Sequence, residues 1–209
     1  MEDAGYRFLL KCGDPVMAAI VERRGPLDHA ARRRGRPGDA YGSLVRTIVG
    51  QQLSTKAART IYARLVALFG DSPPTPADLI AAEDADLRAA GLSRQKIGYL
   101  RDLAERVCVG ELELESLSEL SDDEVSARVT AVKGLGQWSA DMFVMFHLGR
   151  PDVLPVGDLG IRRAVEKAYG LPELPDAGEL RALAEPWRPH RTLACLFLWE
   201  TLDAVPGSG

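Results

Sequence analysis

Cysteine is scarce in this 209-residue chain, and Cys12, Cys108 and Cys195 are scattered and odd in number. Their spacing excludes a disulfide framework and a cysteine metal cluster. Long apolar runs are missing too. Hydrophobic residues make up 46% of the sequence, an ordinary share, but no run approaches the length of a membrane-spanning helix. Met1-Glu2-Asp3-Ala4 is acidic and lacks the basic-then-apolar order of a secretion signal, so the cytoplasm is the expected compartment. Strand-like alternation is never sustained, and no repeat of solenoid period occurs. Basic excess is also absent: the net charge is −4 and the pI about 5.5, which argues mildly against a nucleic-acid partner.

The distribution of charge argues the other way. Between Tyr41 and Gly70 lie four basic residues (Arg46, Lys56, Arg59, Arg64) and no acid; between Glu111 and Glu124 lie seven acids and no base. One surface is then positive while the average is negative, although two solvated helix faces would give the same pattern.

The signal that is present is helical. Asp14-Pro15 reads as an N-cap and first-turn proline, opening a helix to about Arg24. Before it, Tyr6–Leu10 reads as a short extended piece. Residues 25–40 are rich in Gly, Pro and Arg, with Arg32 to Arg36 as a solvated linker. A helix from Ala40 to about Gln51 buries Leu44, Ile48 and Val49. Ser54 caps a second, Thr55 to Phe69, with Ile61, Leu65 and Leu68 inward. Two short helices follow after Pro76, ended by Gly91. Ser93 caps a helix from Arg94 to Val107, and Ser121 or Asp122 caps another running to Val132. The expected fold class is all-α.

The chain is organised around Ala131–Ala164. Gly134-Leu135-Gly136 is a tight turn between two helices, which makes a helix-hairpin-helix. Two glycines two apart allow positive φ and leave no Cβ in the way, so backbone N–H groups at a helix start are free to converge on a phosphate. An ordinary tight link between packed helices is the competing explanation. An apolar helix from about Trp138 to Leu148 follows, then the Pro/Gly-rich loop Pro155-Val156-Gly157-Asp158. Asp158 opens a helix over 159–169, where its plainest role is the N-cap.

Lys133-Gly134-Leu135-Gly136-Gln137-Trp138-Ser139-Ala140, followed by Pro155-Val156-Gly157-Asp158, resembles the helix-hairpin-helix DNA glycosylase superfamily, and within it the 3-methyladenine DNA glycosylase II branch. Ile48 to Ala58 is similar to that branch's DNA-wedge segment. Gly91-Leu92-Ser93-x-x-Lys96-x-x-Tyr99-Leu100 is similar to a family helix start, and Trp187 to Arg191 with Trp199 to its C-terminal helix. The likeness covers about Asp14 to Leu202; the ordered combination is specific, whereas no single piece is.

The resemblance implies two helical lobes with a DNA-binding cleft. The lobes fall at about 40–150, with the hairpin, and at 1–39 plus 151–209. It implies a monofunctional enzyme that hydrolyses the N-glycosidic bond of alkylated purines, of the 3-methyladenine and 7-methylguanine type, in double-stranded DNA. Asp158 is the implied catalytic carboxylate. Trp138, Met142, Leu159 and Trp199 are implied around the base; tyrosines often stand at the positions of Met142 and Leu159 in bacterial relatives, which alters the pocket. Gln52 or Leu53 is the implied wedge into DNA, with Leu53 alternatively a packing residue beside the Ser54 cap. Gly134, Leu135, Gly136, Gln137 and Ser139 are implied at the DNA backbone. Trp187 reads as core.

Bifunctional relatives carry a lysine at the position of Trp138, and some relatives hold a four-cysteine iron–sulfur cluster that this chain has no cysteines to build. No cofactor is expected; a monovalent cation on hairpin carbonyls stays open. So does the general acid, since His147 and His190 occupy no matching family position. The chain looks like a compact, monomeric form without the longer enzymes' N-terminal β domain. The rival readings are an oxidised-base or mismatch glycosylase on the same fold, a non-catalytic DNA-binding module, and a helical protein-interaction domain.

Overall fold

The computed structural model describes residues 2–27 and 38–203. The expected linker Arg32–Arg36 lies outside them. Among the described residues there are twelve α-helices and no strand: α1 Glu2–Leu9, α2 Pro15–Arg24, α3 Ala40–Gly50, α4 Thr55–Leu68, α5 Pro76–Ala81, α6 Asp84–Ala89, α7 Arg94–Cys108, α8 Asp122–Thr130, α9 Gln137–Phe146, α10 Leu159–Tyr169, α11 Ala177–Leu183 and α12 Arg191–Asp203. Two 3₁₀ turns, Glu115–Glu119 and Glu185–Trp187, join α7 to α8 and α11 to α12. The chain divides into two compact units, residues 1–34 with 149–209, and residues 35–148.

Most helices start where a short polar side chain precedes an apolar period. Asp39, Ser54, Thr75, Ser93, Ser121, Asp158 and Asp176 all cap with their side chains, and Thr75, Ser121 and Asp176 form full capping boxes. Tyr6–Leu10 departs from expectation. Most of it is the end of α1, not an extended piece. Gly5 and Leu9, one turn apart, are both buried, and a Cβ on Gly5 would fall 2.9 Å from Leu193 Cδ2. Close packing on α12 overrides a weak local signal. Leu68, expected inward, is 40% exposed, because α4 turns only Leu65 fully into the core.

The first unit is built around α12, whose six consecutive residues Leu193–Leu198 are all buried. A helix buried all round explains why no amphipathic stripe marks it. Helices α1, α2 and α10 pack on it. Asp14 ties this unit together. Its Oδ1 accepts the N–H groups of Val16 and Met17 at 3.0 Å, and its Oδ2 accepts Trp187 Nε1–H at 2.8 Å and the Tyr169 hydroxyl. Burial, then the Asp14 carboxylate beside it, pushes the Tyr169 hydroxyl well above its usual pKa. Trp187, fully buried, is therefore a structural residue, as expected. Asp14→Ala is expected to destabilise this unit by about 3 kcal/mol, since it strips a cap and leaves the buried Trp187 indole and the half-buried Tyr169 hydroxyl without their acceptor. Chemical denaturation followed by tryptophan fluorescence measures this directly.

The second unit centres on α7, which packs against α3, α5 and α6 and buries Ile97, Leu100, Leu103 and Ala104. Helices α8 and α9 pack on each other, and α3 packs on α4 and α9.

Candidate nucleic-acid interface and catalytic carboxylate

The turn between α8 and α9 is held from below by Val132 and Leu135, 1% and 3% exposed, with Leu135 N–H on Val132 O at 3.1 Å. Only the first glycine uses positive φ: Gly134 sits at +81°, whereas Gly136 is extended at φ −100°, ψ −176°. The freedom expected of both glycines is thus needed at one. Gly136 is the N-cap of α9, and no side chain caps that helix. Its start keeps the positive end of the helix dipole, with no side-chain oxygen placed over it.

The five residues expected at a phosphate separate by exposure. Gly134, Gly136 and Gln137 are exposed; Leu135 and Ser139 are buried, so their side chains serve packing, and Ser139 N–H bonds Gly136 O at 2.9 Å. Gln137 also bridges the two helices of the motif: its Oε1 accepts Ser126 Oγ–H at 3.0 Å, and its Nε2 donates to Asp141 Oδ1 at 2.8 Å. Trp138 follows, 44% exposed, and Met142 is half-buried one turn further along α9.

Asp102 anchors the hairpin from α7. Its Oδ2 accepts the Lys133 N–H at 2.9 Å and Arg106 Nε–H at 2.9 Å, and Lys133 Nζ lies 3.1 Å from Oδ1. Burial alone would raise the Asp102 pKa. The Lys133 N–H and the Arg106 and Lys133 side chains outweigh it and hold the carboxyl below its usual range. A group depressed in the fold contributes stability above its unfolded pKa and loses it as pH falls through the folded one. Asp102→Asn is therefore expected to be less stable than wild type at pH 7, with the difference closing below about pH 4. Thermal unfolding of both proteins across that range checks the sign.

The α3–α4 junction lies beside the hairpin. Gln51 Nε2 donates to Gly134 O at 2.7 Å, and Lys96 Nζ donates to Val49 O at 2.7 Å and Gln51 O at 2.8 Å. Burial lowers the Lys96 pKa. Gln52 takes φ +56°, a strained left-handed conformation for a residue with a side chain, and is exposed; Leu53 is 38% exposed. From the α7 side, Tyr99 closes on the turn: a Cβ on Gly134 would lie 2.2 Å from its Cδ2. Gln51, Lys96 and Tyr99 lie in stretches that carry the resemblance, but the sequence reading assigns them no role in the site. The signal available was the spacing of Lys96 and Tyr99, three residues apart on one face of α7 behind the Ser93 cap.

In the other unit, the loop entering α10 is tied to the start of α12. Val153 N–H donates to Thr192 Oγ1 at 3.0 Å, Thr192 Oγ1–H to Arg150 O at 2.8 Å, and Arg191 Nε–H to Asp152 Oδ1 at 2.7 Å. Asp158 ends this loop, 8% exposed. Its Oδ1 accepts two hydrogen bonds, from Ile161 N–H at 2.7 Å and from Trp199 Nε1–H at 3.0 Å. The carboxylate is thus both a cap and the partner of an indole on α12. Gly160 permits this approach, because a Cβ there would lie 3.0 Å from Asp158 Oδ1 and 3.2 Å from Trp199 Nε1. Leu159 is 46% exposed next to it. Trp199 is half-buried, so its packing and its bond to Asp158 coexist. Of the two histidines considered as acids, His190 meets Phe8 edge-on and His147 stacks on Phe143.

A helix-hairpin-helix, a Gly/Pro-rich loop and a capped aspartate occur here in one order. The family model for the HhH-GPD superfamily of base excision DNA repair proteins matches residues 45–189. The chain belongs to this superfamily. The matched span includes the junction, the hairpin and Asp158, and stops before Trp199. DNA-3-methyladenine glycosylase 1 of Schizosaccharomyces pombe is 34% identical over 165 residues, covering 78% of this chain and 72% of the relative. DNA-3-methyladenine glycosylase 2 of Escherichia coli is 28% identical, covering 93% and 68%. The solved structure of the Schizosaccharomyces pombe 3-methyladenine DNA glycosylase in complex with abasic DNA superimposes with a TM-score of 0.86 at 30% identity, covering 96% of this chain and 97% of that one. The all-α expectation and the resemblance both hold.

Proposed function

We propose that this chain is a monofunctional DNA glycosylase that hydrolyses the N-glycosidic bond of alkylated purines in double-stranded DNA and leaves an abasic site. The observation that carries the reading is Asp158, a buried carboxylate fixed by Ile161 N–H and Trp199 Nε1–H at the mouth of α10. As the C1′–N bond of a methylated purine breaks, its electron pair leaves with the base and the sugar gains oxocarbenium character. A fixed carboxylate stabilises that cation and accepts a proton from the water that attacks C1′. A purine methylated at N3 or N7 is cationic before cleavage and leaves neutral, so the reaction needs no general acid.

Each remaining role follows from exposure and chemistry. Gly136 and Gln137 offer first-turn N–H groups to a phosphate. Exposed Trp138 offers a π face to a cationic base, an attraction of order 1 kcal/mol; Trp199, Met142 and Leu159 are assigned to base contact by the family resemblance alone. Gln52 or Leu53, exposed at the strained junction, fills the gap left by an extruded nucleotide, which offsets unstacking by a few kcal/mol. Tryptophan at 138 supplies no amine for a Schiff base, so the sugar-phosphate chain stays intact.

Incubation with methylated duplex DNA is expected to release methylpurines, to leave strands intact until alkali is added, and to form no borohydride-trapped protein–DNA adduct. Trapping, or release of oxidised guanine in place of methylpurines, would favour the other glycosylase reading. Binding without release of any base would favour a DNA-binding module.

A further inference from the structure

We infer that Lys96 is the positioning residue of the DNA wedge, holding the Gln51–Leu53 junction in its inserting conformation and coupling it to the phosphate-binding hairpin. This deepens the proposed function and rests on it. Three observations meet at this residue. First, its ammonium donates to Val49 O at 2.7 Å and Gln51 O at 2.8 Å, on either side of Gly50, the last residue of α3. Carbonyls at a helix C-terminus lack helical donors, and a cation there also meets the negative end of the dipole. Second, the loop so held is strained: Gln51 leaves the helix at φ −55°, ψ 133°, and Gln52 follows at φ +56°. Such a conformation persists only where its surroundings over-determine it. Third, the same Gln51 that gives its carbonyl to Lys96 gives its amide to Gly134 O at 2.7 Å. One residue of the loop therefore bonds α7 through its backbone and the hairpin through its side chain.

The Ser93 cap places Lys96 in the first turn of α7, and Tyr99 from the next turn closes on Gly134. One helix thus sets both the wedge loop and the hairpin, so that binding a phosphate and presenting Gln52 and Leu53 are one geometry. Burial disfavours the charged form of Lys96 and lowers its pKa, while the two carbonyls 2.7 and 2.8 Å away accept from its ammonium.

A wedge matters most where extrusion is hard. The test uses single-turnover release of 7-methylguanine from two duplexes, one with the lesion opposite cytosine and one opposite a tetrahydrofuran abasic analogue, where no pair must be broken. Lys96→Met is expected to slow release from the paired duplex on the order of tenfold, and from the unpaired one by less than about threefold. Lys96→Arg, which keeps charge and donors, is expected to recover part of the loss. Lys96→Met combined with Leu53→Ala and Gln52→Ala is expected to be no slower on the paired duplex than the wedge variant alone, because residues acting through one element are not additive. Gln51→Leu, which leaves Lys96 in place, is expected to show the same selectivity and serves if Lys96→Met does not fold.

Equal slowing on both duplexes, or full additivity with the wedge substitutions, would overturn the inference and leave the glycosylase reading standing. Failure of wild type to release the base from either duplex would remove that reading and this inference with it.

Discussion

Gly134→Ala is expected to cost about 3–5 kcal/mol, a large part of a typical domain's stability, whereas Gly136→Ala costs less than about 1 kcal/mol. The two glycines look equivalent in Gly134-Leu135-Gly136, but their surroundings differ. At Gly134 a Cβ would fall 2.2–2.5 Å from three atoms of the Tyr99 ring, at a backbone φ of +81°. The atoms met are in the ring itself, close to the backbone of α7 rather than at the tip of a flexible side chain, and Tyr99 is half-buried. At Gly136 φ is −100° and nothing lies within 4 Å of the added carbon. Denaturation of both variants would show the contrast. DNA affinity follows a second line: Gly136→Ala stays folded but places a methyl beside the first-turn N–H groups of α9, so weaker phosphate binding at unchanged stability is its expected signature.

Asp158→Asn is expected to reduce single-turnover base release by about a hundred- to a thousandfold or more while the protein stays folded. Asparagine keeps an Oδ1 that accepts from Ile161 N–H and Trp199 Nε1–H, so the cap and the indole contact both survive. Asparagine is as good an N-cap as aspartate, and the stability change is expected to stay within about 1 kcal/mol. On the proposed mechanism, what is lost is the negative charge beside the developing sugar cation and the acceptor for the water proton. The substitution therefore separates Asp158 as a cap from Asp158 as a catalyst. A variant that unfolds, or one that cleaves at the wild-type rate, would each contradict a different half of that assignment.

The elements legible in the sequence were those with local causes. Asp14, Ser54, Ser93, Ser121 and Asp158 announce helix starts because a cap bonds N–H groups two or three residues away. The first helix was missed because its reason lies 188 residues further on, where Leu193 leaves room only for a glycine at position 5. Leu68 was misplaced because position on a helical wheel does not say what the wheel packs against. In the candidate site, the order of hairpin, loop and aspartate was legible as a resemblance. The bonds that orient these parts were not. Trp199 to Asp158 spans 41 residues, Lys96 to Gln51 spans 45, and Gln51 to Gly134 spans 83, so none leaves a local trace. The reason for a glycine at position 160, the indole of Trp199 held beside the Asp158 carboxylate, is likewise not local in sequence.

The measurement that bears most directly on the central claim is release of 3-methyladenine and 7-methylguanine from methylated duplex DNA, resolved by chromatography. It is made with wild type and Asp158→Asn at protein concentrations that saturate DNA binding. The account predicts that wild type frees methylpurines with the strands left whole, and that the variant binds equally but releases them at least about a hundredfold more slowly. Equal release by both proteins, or binding by both with no base freed, would contradict it.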